Sequence, residues 1–158
     1  MSKPVQPIPA GYEGLMAYII LKEANRAIDF YKKAFGAVEK MRLPGQDGKG
    51  VGHAELQIGP SILMLADECP EATNRSPQTL GGNTFCFVLY VPSVDAAFQR
   101  AVDAGATVLR PVADQFYGDR SGMVTDPFGY QWALMTHVGD LTPEEIGKSA
   151  AAQAAKGN

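Results

Sequence analysis

The chain has 158 residues, 46% of them apolar, which suits one ordinary domain or two small repeats with a packed core. Its 14 Lys and Arg against 17 Asp and Glu give a net charge of −3, without the basic stripe typical of nucleic-acid-binding proteins. The sequence has no apolar run as long as a membrane span. Its two cysteines, Cys69 and Cys86, form neither a metal-binding spacing nor a disulfide framework, which favours reduced thiols in a cytoplasmic protein.

The first half of the chain predicts one β-α-β-β-β module over residues 14–68. It follows an extended, proline-rich tail over residues 1–13. Apolar periodicity predicts a strand over 15–21, a helix over 25–35 that Gly36 ends, and strands over 38–43, 51–58 and 61–65. The strand over 51–58 has two unlike faces, because the apolar residues Ala54, Leu56 and Ile58 alternate with His53, Glu55 and Gln57.

The same order of elements returns after a polar linker over residues 69–83. A strand over 84–91, a helix over 94–104, a strand over 107–112 and a hairpin complete a second module over 84–138. The hairpin turns at Asp126-Pro127-Phe128-Gly129, where proline presets φ and glycine closes the bend. Its last strand, over 131–137, is predicted to bury Trp132 on the helix side. A C-terminal helix and tail over 139–158 begin with a capping box of Thr142 and Glu145.

Five ordered motifs run through both predicted modules. They are AIDFYKKAFGA (27–37), GHAELQIG (52–59), SILMLADE (61–68), QFYGDRSG (115–122) and DPFGYQW (126–132). Together they resemble the vicinal oxygen chelate superfamily, which includes glyoxalase I, bleomycin-resistance proteins and extradiol dioxygenases, and within it the PhnB-like group. Tyr130 is a departure, since that group commonly has His after DPFG. The resemblance implies a homodimer and an α+β fold of two tandem β-α-β-β-β modules that form a cupped mixed sheet.

The resemblance also bears on a metal site. Metal-dependent members place four His, Gln or Glu ligands on the innermost strands, and the matching positions here are Met16, Leu63 or Met64, Cys86 and Ala133. None of these supplies the oxygen or imidazole that an octahedral site for a divalent ion needs, so we expect no metal and no cofactor at the inherited position. A divalent metal relocated to His53, Glu55 and His137 stays open as the alternative, although residues i and i+2 of one strand lie about 6.5 Å apart.

Candidate ligand-binding residues are those predicted to face the cavity of the sheet or its mouth. Flexible apolar and aromatic side chains suit a bulky ligand, and they equally suit a filled core. Two roles are possible for Arg120: it could bind a carboxylate or phosphate through two hydrogen bonds, or it could form a local ion pair that shapes the loop. The predicted set is Met16, Tyr18, His53, Glu55, Gln57, Met64, Cys86, Tyr90, Tyr117, Arg120, Met135 and His137, and within it Glu55 and His53 are the catalytic candidates.

Two functions remain open at this point. The first is a metal-free small-molecule-binding protein, similar to the drug-sequestering branch of the superfamily. The second is a lyase, isomerase or dioxygenase that uses the relocated metal, or uses Glu55 as a base with His53. Cys86 is not expected to be a nucleophile, because a buried apolar thiol is the default for a free cysteine.

Overall fold

The computed structural model describes residues 5–156, and the chain divides into two units between Gly82 and Asn83. Each unit holds a four-stranded mixed sheet with helices, which confirms the α+β class and the two β-α-β-β-β modules. Residues 1–4 of the predicted tail and residues 157–158 of the C-terminal segment lie outside the described residues. Within residues 5–156, no helix combines the length and the apolar character needed to cross a membrane.

The first unit has the sheet order β1-β4-β3-β2, in which β1 and β4 are parallel and the other pairs are antiparallel. Its elements are β1 (Ala17–Leu21), α1 (Ala24–Phe35), β2 (Val38–Leu43), β3 (His53–Ile58), β4 (Ser61–Asp67) and α2 (Pro77–Leu80). Gly36 ends α1 with φ 66°, as predicted. The single turn of α2 corrects the predicted linker, because Ser76 caps its N-terminus and Pro77 begins it.

Helix α1 packs on β1 and β4, so one face of the first sheet is turned toward the helix and the other is turned away from it. Toward the helix the sheet buries Ile19, Leu21, Leu56 and Leu65, each at most 1% exposed. Strand side chains alternate, so the residues between these lie on the face turned away from α1. That face, which we call the open face of the first sheet, carries Tyr18, Ile20, Met41, Leu43, His53, Glu55 and Met64.

The second unit repeats the arrangement with the order β5-β8-β7-β6, and β5 is parallel to β8. Its elements are β5 (Cys86–Tyr90), α3 (Val94–Asp103), β6 (Thr107–Asp114), β7 (Asp119–Thr125), β8 (Gln131–His137) and α4 (Pro143–Lys156). Helix α3 packs on β6, β7 and β8, and Gly122 lets it approach, since a Cβ there would lie 2.8 Å from the Phe98 ring. At the start of α4, Thr142 and Glu145 form the predicted capping box.

The predicted turn before β8 is confirmed, and a buried carboxylate organises it. Gly129 N–H donates to the Asp126 carbonyl over 3.1 Å, and Gly129 has φ 96°. The Asp126 carboxylate accepts from Phe128 N and Tyr130 N, both at 2.9 Å, and from Trp132 Nε1 at 3.0 Å. Trp132 is buried and stacks on Phe87 at 4.4 Å, on the helix side as predicted. Asp126 therefore fixes how β8 leaves the turn.

Candidate ligand-binding site

Four polar side chains form one hydrogen-bonded chain on the open face of the first sheet. Glu55 Oε1 lies 3.1 Å from His53 Nε2, and His53 Nδ1 lies 3.0 Å from the Tyr18 hydroxyl. The Tyr12 hydroxyl donates to Glu55 Oε2. Because an ionised carboxylate only accepts, His53 carries a proton on Nε2, and in the neutral ring Nδ1 accepts from Tyr18. The structure thus brings together the two catalytic candidates, His53 and Glu55, and joins them to Tyr18.

Strand register explains this meeting. Met64 in β4 pairs with Tyr18 in β1 on one side and with Glu55 in β3 on the other, so the three residues form one row across the sheet. On the far side of β3, Met41 pairs with Glu55 and Leu43 pairs with His53. Met41 is 41% exposed and Leu43 is 49% exposed. The polar chain therefore has exposed apolar side chains beside it.

Hydrogen bonds keep Glu55 ionised, although burial by itself raises its pKa and opposes ionisation. Its residue is only 8% exposed. The hydroxyl of Tyr12 and then the imidazole of His53 stabilise the carboxylate and lower the pKa of Glu55, and the same carboxylate raises the pKa of Tyr12. Burial raises the pKa of Tyr18 above its ordinary value, at which the hydroxyl is already protonated at neutral pH. The site holds a negative charge next to a neutral hydroxyl donor.

Tyr12 reaches this site from a segment that sequence reasoning predicted as an extended tail. Instead, Tyr12 N–H donates to the Pro9 carbonyl over 3.1 Å, and Gly11 has φ 85°. A four-residue turn with Gly at the third position and positive φ there is type II. Gly11 two residues after Pro9 was the signal that would have predicted the turn, although not the contact with Glu55.

A second polar cluster lies on the second sheet, on the face turned away from α3. Asp119, which is 4% exposed, accepts from the Tyr90 hydroxyl at 2.6 Å and from His137 Nδ1 at 2.8 Å. His137 Nε2 donates to Asp140 over 2.9 Å. Carboxylates at both ring nitrogens, Asp140 first and then Asp119, raise the pKa of His137 and favour the imidazolium. The Tyr90 hydroxyl in turn helps to lower the pKa of Asp119, a residue that sequence reasoning missed.

Ser121 lies in the same row of the second sheet as two predicted ligand-binding residues. It pairs with Met135 in β8, which pairs with Tyr90 in β5. The serine is fully buried, and its Oγ has no hydrogen-bond partner among the described residues. This hydroxyl is an unusual feature, because buried polar atoms in proteins are nearly always paired.

For Arg120 the structure shows an ion pair, one of the two alternatives that the sequence left open, and for Cys86 it corrects the predicted burial. Arg120 points to α3 instead of the ligand face, since its guanidinium makes two hydrogen bonds to Asp95 at 2.8 and 2.9 Å and one to Asp114 at 3.0 Å. These ion pairs with Asp95 and Asp114 raise the pKa of Arg120 further. They also use the guanidinium N–H groups that would bind a carboxylate or phosphate of a ligand. Cys86 is exposed, not buried, because β5 is an edge strand of its sheet.

The other predicted residues have local roles or surroundings. Gln57 Nε2 donates to the Gly59 carbonyl at the end of β3 over 3.1 Å. Tyr117 lies in the turn between β6 and β7 and packs edge-on against Phe116 at 5.1 Å. Met16 precedes β1 by one residue and is half-buried.

The residues present do not fit the metal that the family implies. The inherited positions carry thioether, thiol and aliphatic groups at Met16, Leu63 or Met64, Cys86 and Ala133. Within residues 5–156, no three His, Cys, Asp or Glu side chains are arranged to hold an ion. Around His137 the two carboxylates bind opposite ring nitrogens, so their oxygens do not converge on one point.

Comparison with known proteins places this geometry in a family. The model of the Glyoxalase/Bleomycin resistance protein/Dioxygenase superfamily matches residues 15–134. An uncharacterised protein of Mycobacterium bovis is 44% identical over 142 residues, which is 88% of this chain and 93% of that protein.

Solved structures agree with this match. The crystal structure of TioX from a Micromonospora species has a TM-score of 0.62 at 26% identity, covering 78% of this chain and 98% of TioX. A PhnB protein from Bacillus cereus has a TM-score of 0.61 over 78% of this chain and 99% of its own, and at 15% identity it shows the fold alone. The chain belongs to the glyoxalase/bleomycin resistance protein/dioxygenase superfamily.

Proposed function

We propose that this protein is a PhnB-like member that binds a small organic molecule without a metal, on the open face of the first sheet. The observation that carries the proposal is the chain of Tyr18, His53 and Glu55 beside the exposed apolar side chains of Met41 and Leu43. Small-molecule sites combine a mainly apolar lining with a few placed polar groups that fix the orientation of the ligand.

The chemistry of the inherited ligand positions supports a site without metal. Sulfur donors such as Met64 and Cys86 favour soft ions, and the side chain of Ala133 has no donor atom. The polar groups that the first sheet does present are already hydrogen-bonded to one another. The carboxylate and the hydroxyl groups of this chain have further acceptor capacity, and a ligand can also take the place of one partner. They are therefore suited to binding hydroxyl, amine or carbonyl groups of a ligand.

The test is to identify what the purified protein carries and which unit carries it. Native mass spectrometry and metal analysis are expected to find an organic molecule that survives treatment with a chelator, and no stoichiometric metal. The double variant His53→Ala, Glu55→Ala is expected to lose the molecule. The matched double variant in the second unit, His137→Ala with Asp140→Ala, removes the same kinds of group and is expected to keep it.

Two results would contradict the proposal. Stoichiometric metal that disappears in the first double variant would show that His53 and Glu55 are ligands of an ion. Loss of the organic molecule only in the second double variant would place the site on the other sheet.

A second function has one specific observation in its favour. Glu55 holds the Nε2–H of His53, which directs Nδ1 to the hydroxyl of Tyr18. Such an oriented imidazole can move a proton to or from a bound molecule. Incubation of the recovered molecule with the protein in deuterium oxide separates the two functions. Exchange that is lost in His53→Gln indicates a proton-transfer enzyme, and no exchange indicates a binding protein.

Two further properties stay predictions. The resemblance predicts a homodimer, which sedimentation of the full chain measures directly. Free thiols at Cys69 and Cys86 predict a reducing compartment such as the cytoplasm.

A further inference from the structure

We propose that Glu55 selects a ligand bearing a cationic amine on an apolar or aromatic body, and that the Tyr12 hydroxyl occupies the place of this amine until the ligand binds. The inference rests on the proposed function and names its ligand class.

The first reason is the charge on the open face of the first sheet. The carboxylate of Glu55 is nearly buried, and within residues 5–156 it accepts hydrogen bonds only from Tyr12 and His53. Arg42, the arginine next to Met41 on β2, instead binds Glu39 and Asn25. A ligand ammonium group would give this carboxylate a charge-assisted hydrogen bond, whereas a ligand carboxylate would meet a like charge.

The second reason is the kind of side chain that lies beside the carboxylate of Glu55. Tyr18, 48% exposed, and Met41, 41% exposed, present an aromatic ring and a thioether beside Glu55. Aromatic rings attract cations through their faces, and methionine adapts its shape to varied apolar ligands. A ligand with both a cation and an apolar body therefore uses every feature of the site.

The third reason is the position of Tyr12. Its hydroxyl reaches Glu55 Oε2, while His53 binds the other oxygen, Oε1. Tyr12 belongs to a segment outside any strand or helix, and its neighbours Ile8 and Leu15 are 63% and 102% exposed. A ligand amine can thus replace Tyr12 at Oε2 without disturbing the pair with His53.

Because Tyr12 competes for the same oxygen, it lowers the apparent affinity by the fraction of protein in which it is bound there. The variant Tyr12→Phe removes the competing hydroxyl and keeps the ring. If Tyr12 occupies Oε2 in about two thirds or more of the molecules, its removal is expected to strengthen amine binding by roughly threefold or more.

The experiment compares three indoles that share one body, by calorimetry at pH 7. They are tryptamine, which is cationic, 3-ethylindole, which is neutral, and indole-3-propionate, which is anionic. Wild-type protein is expected to bind tryptamine about tenfold or more tightly than the other two, as a charge-assisted hydrogen bond provides. Glu55→Gln is expected to abolish this preference. Glu39→Gln, which changes a carboxylate on β2 that binds Arg42 and Lys32, is the matched control and is expected to keep it.

Several outcomes overturn the inference, and they can be told from failure of the proposed function. Equal binding of tryptamine and 3-ethylindole by wild-type protein, no binding of tryptamine, or a preference that survives Glu55→Gln would remove Glu55 as the selector. The wild-type comparison needs no variant, so the inference can fail even if Glu55→Gln does not fold. Weaker tryptamine binding by Tyr12→Phe would show that Tyr12 contacts the ligand and does not compete with it. The proposed function fails separately, if no organic molecule co-purifies with the protein.

Discussion

Asp126 offers the sharpest test of whether the DPFG motif serves structure or chemistry. Its buried carboxylate accepts from Phe128 N, Tyr130 N and Trp132 Nε1. A buried donor left unpaired costs about 1–3 kcal/mol. Asp126→Ala removes the acceptor of all three donors, and we expect the free energy of unfolding to fall by about 3–5 kcal/mol, since water can reach part of the turn.

Urea unfolding followed by the fluorescence of Trp132, the single tryptophan, measures this loss. Asp126→Asn keeps an oxygen for the two backbone donors and turns an amide toward Trp132 Nε1, so a smaller loss of about 1–2 kcal/mol is expected. Pro127→Ala, at the exposed corner of the same turn, is the control and should cost under about 1 kcal/mol. Unchanged stability in Asp126→Ala, or lost ligand binding at unchanged stability, would refute the structural role.

Three further predictions concern the second unit. Ser121→Ala should raise the free energy of unfolding by about 1 kcal/mol, because it removes a buried hydroxyl without a partner among the described residues, and a decrease would reveal a partner such as bound water. Gly122→Ala should lower it by about 1–3 kcal/mol, because the added Cβ would lie 2.8 Å from the Phe98 ring, and a midpoint like that of wild type would show that α3 can shift. The carboxylates around His137, Asp140 first, raise its pKa, so its contribution is complete below about pH 6.5 and is lost as pH rises through the folded pKa. The urea midpoint should therefore fall from pH 6 to 9 in wild type and less in His137→Gln, and equal slopes would contradict the ion pairs.

Local patterns were enough to predict the architecture. Apolar periodicity and the stop signals of Gly36 and of the Asp126 turn are properties of neighbouring residues, and each element they predicted is present. The ends of elements were less accurate. Strand β6 continues to Asp114, two residues beyond its predicted end at residue 112, because it pairs with β7 as far as Arg120.

The site was predictable only where it follows strand alternation. His53 and Glu55 lie two residues apart on one strand, so their common face could be predicted, and the structure joins them. Tyr12 could not be placed, because its partner Glu55 is 43 residues away in the sequence. Asp67 was equally out of reach, because the backbone N–H groups that donate to it belong to Ala24 and Val51, 43 and 16 residues away.

The two units share one strand order but use their acidic residues differently. Asp119 in the second unit is held by Tyr90 and His137, both of which lie within strands, and Asp140 holds His137 from the other side. A ligand could reach Asp119 only by breaking contacts that belong to the sheet. Glu55 in the first unit has one partner within the sheet and one, Tyr12, from a segment outside it. A repeated fold can therefore keep one carboxylate as part of its structure and leave the other to a ligand.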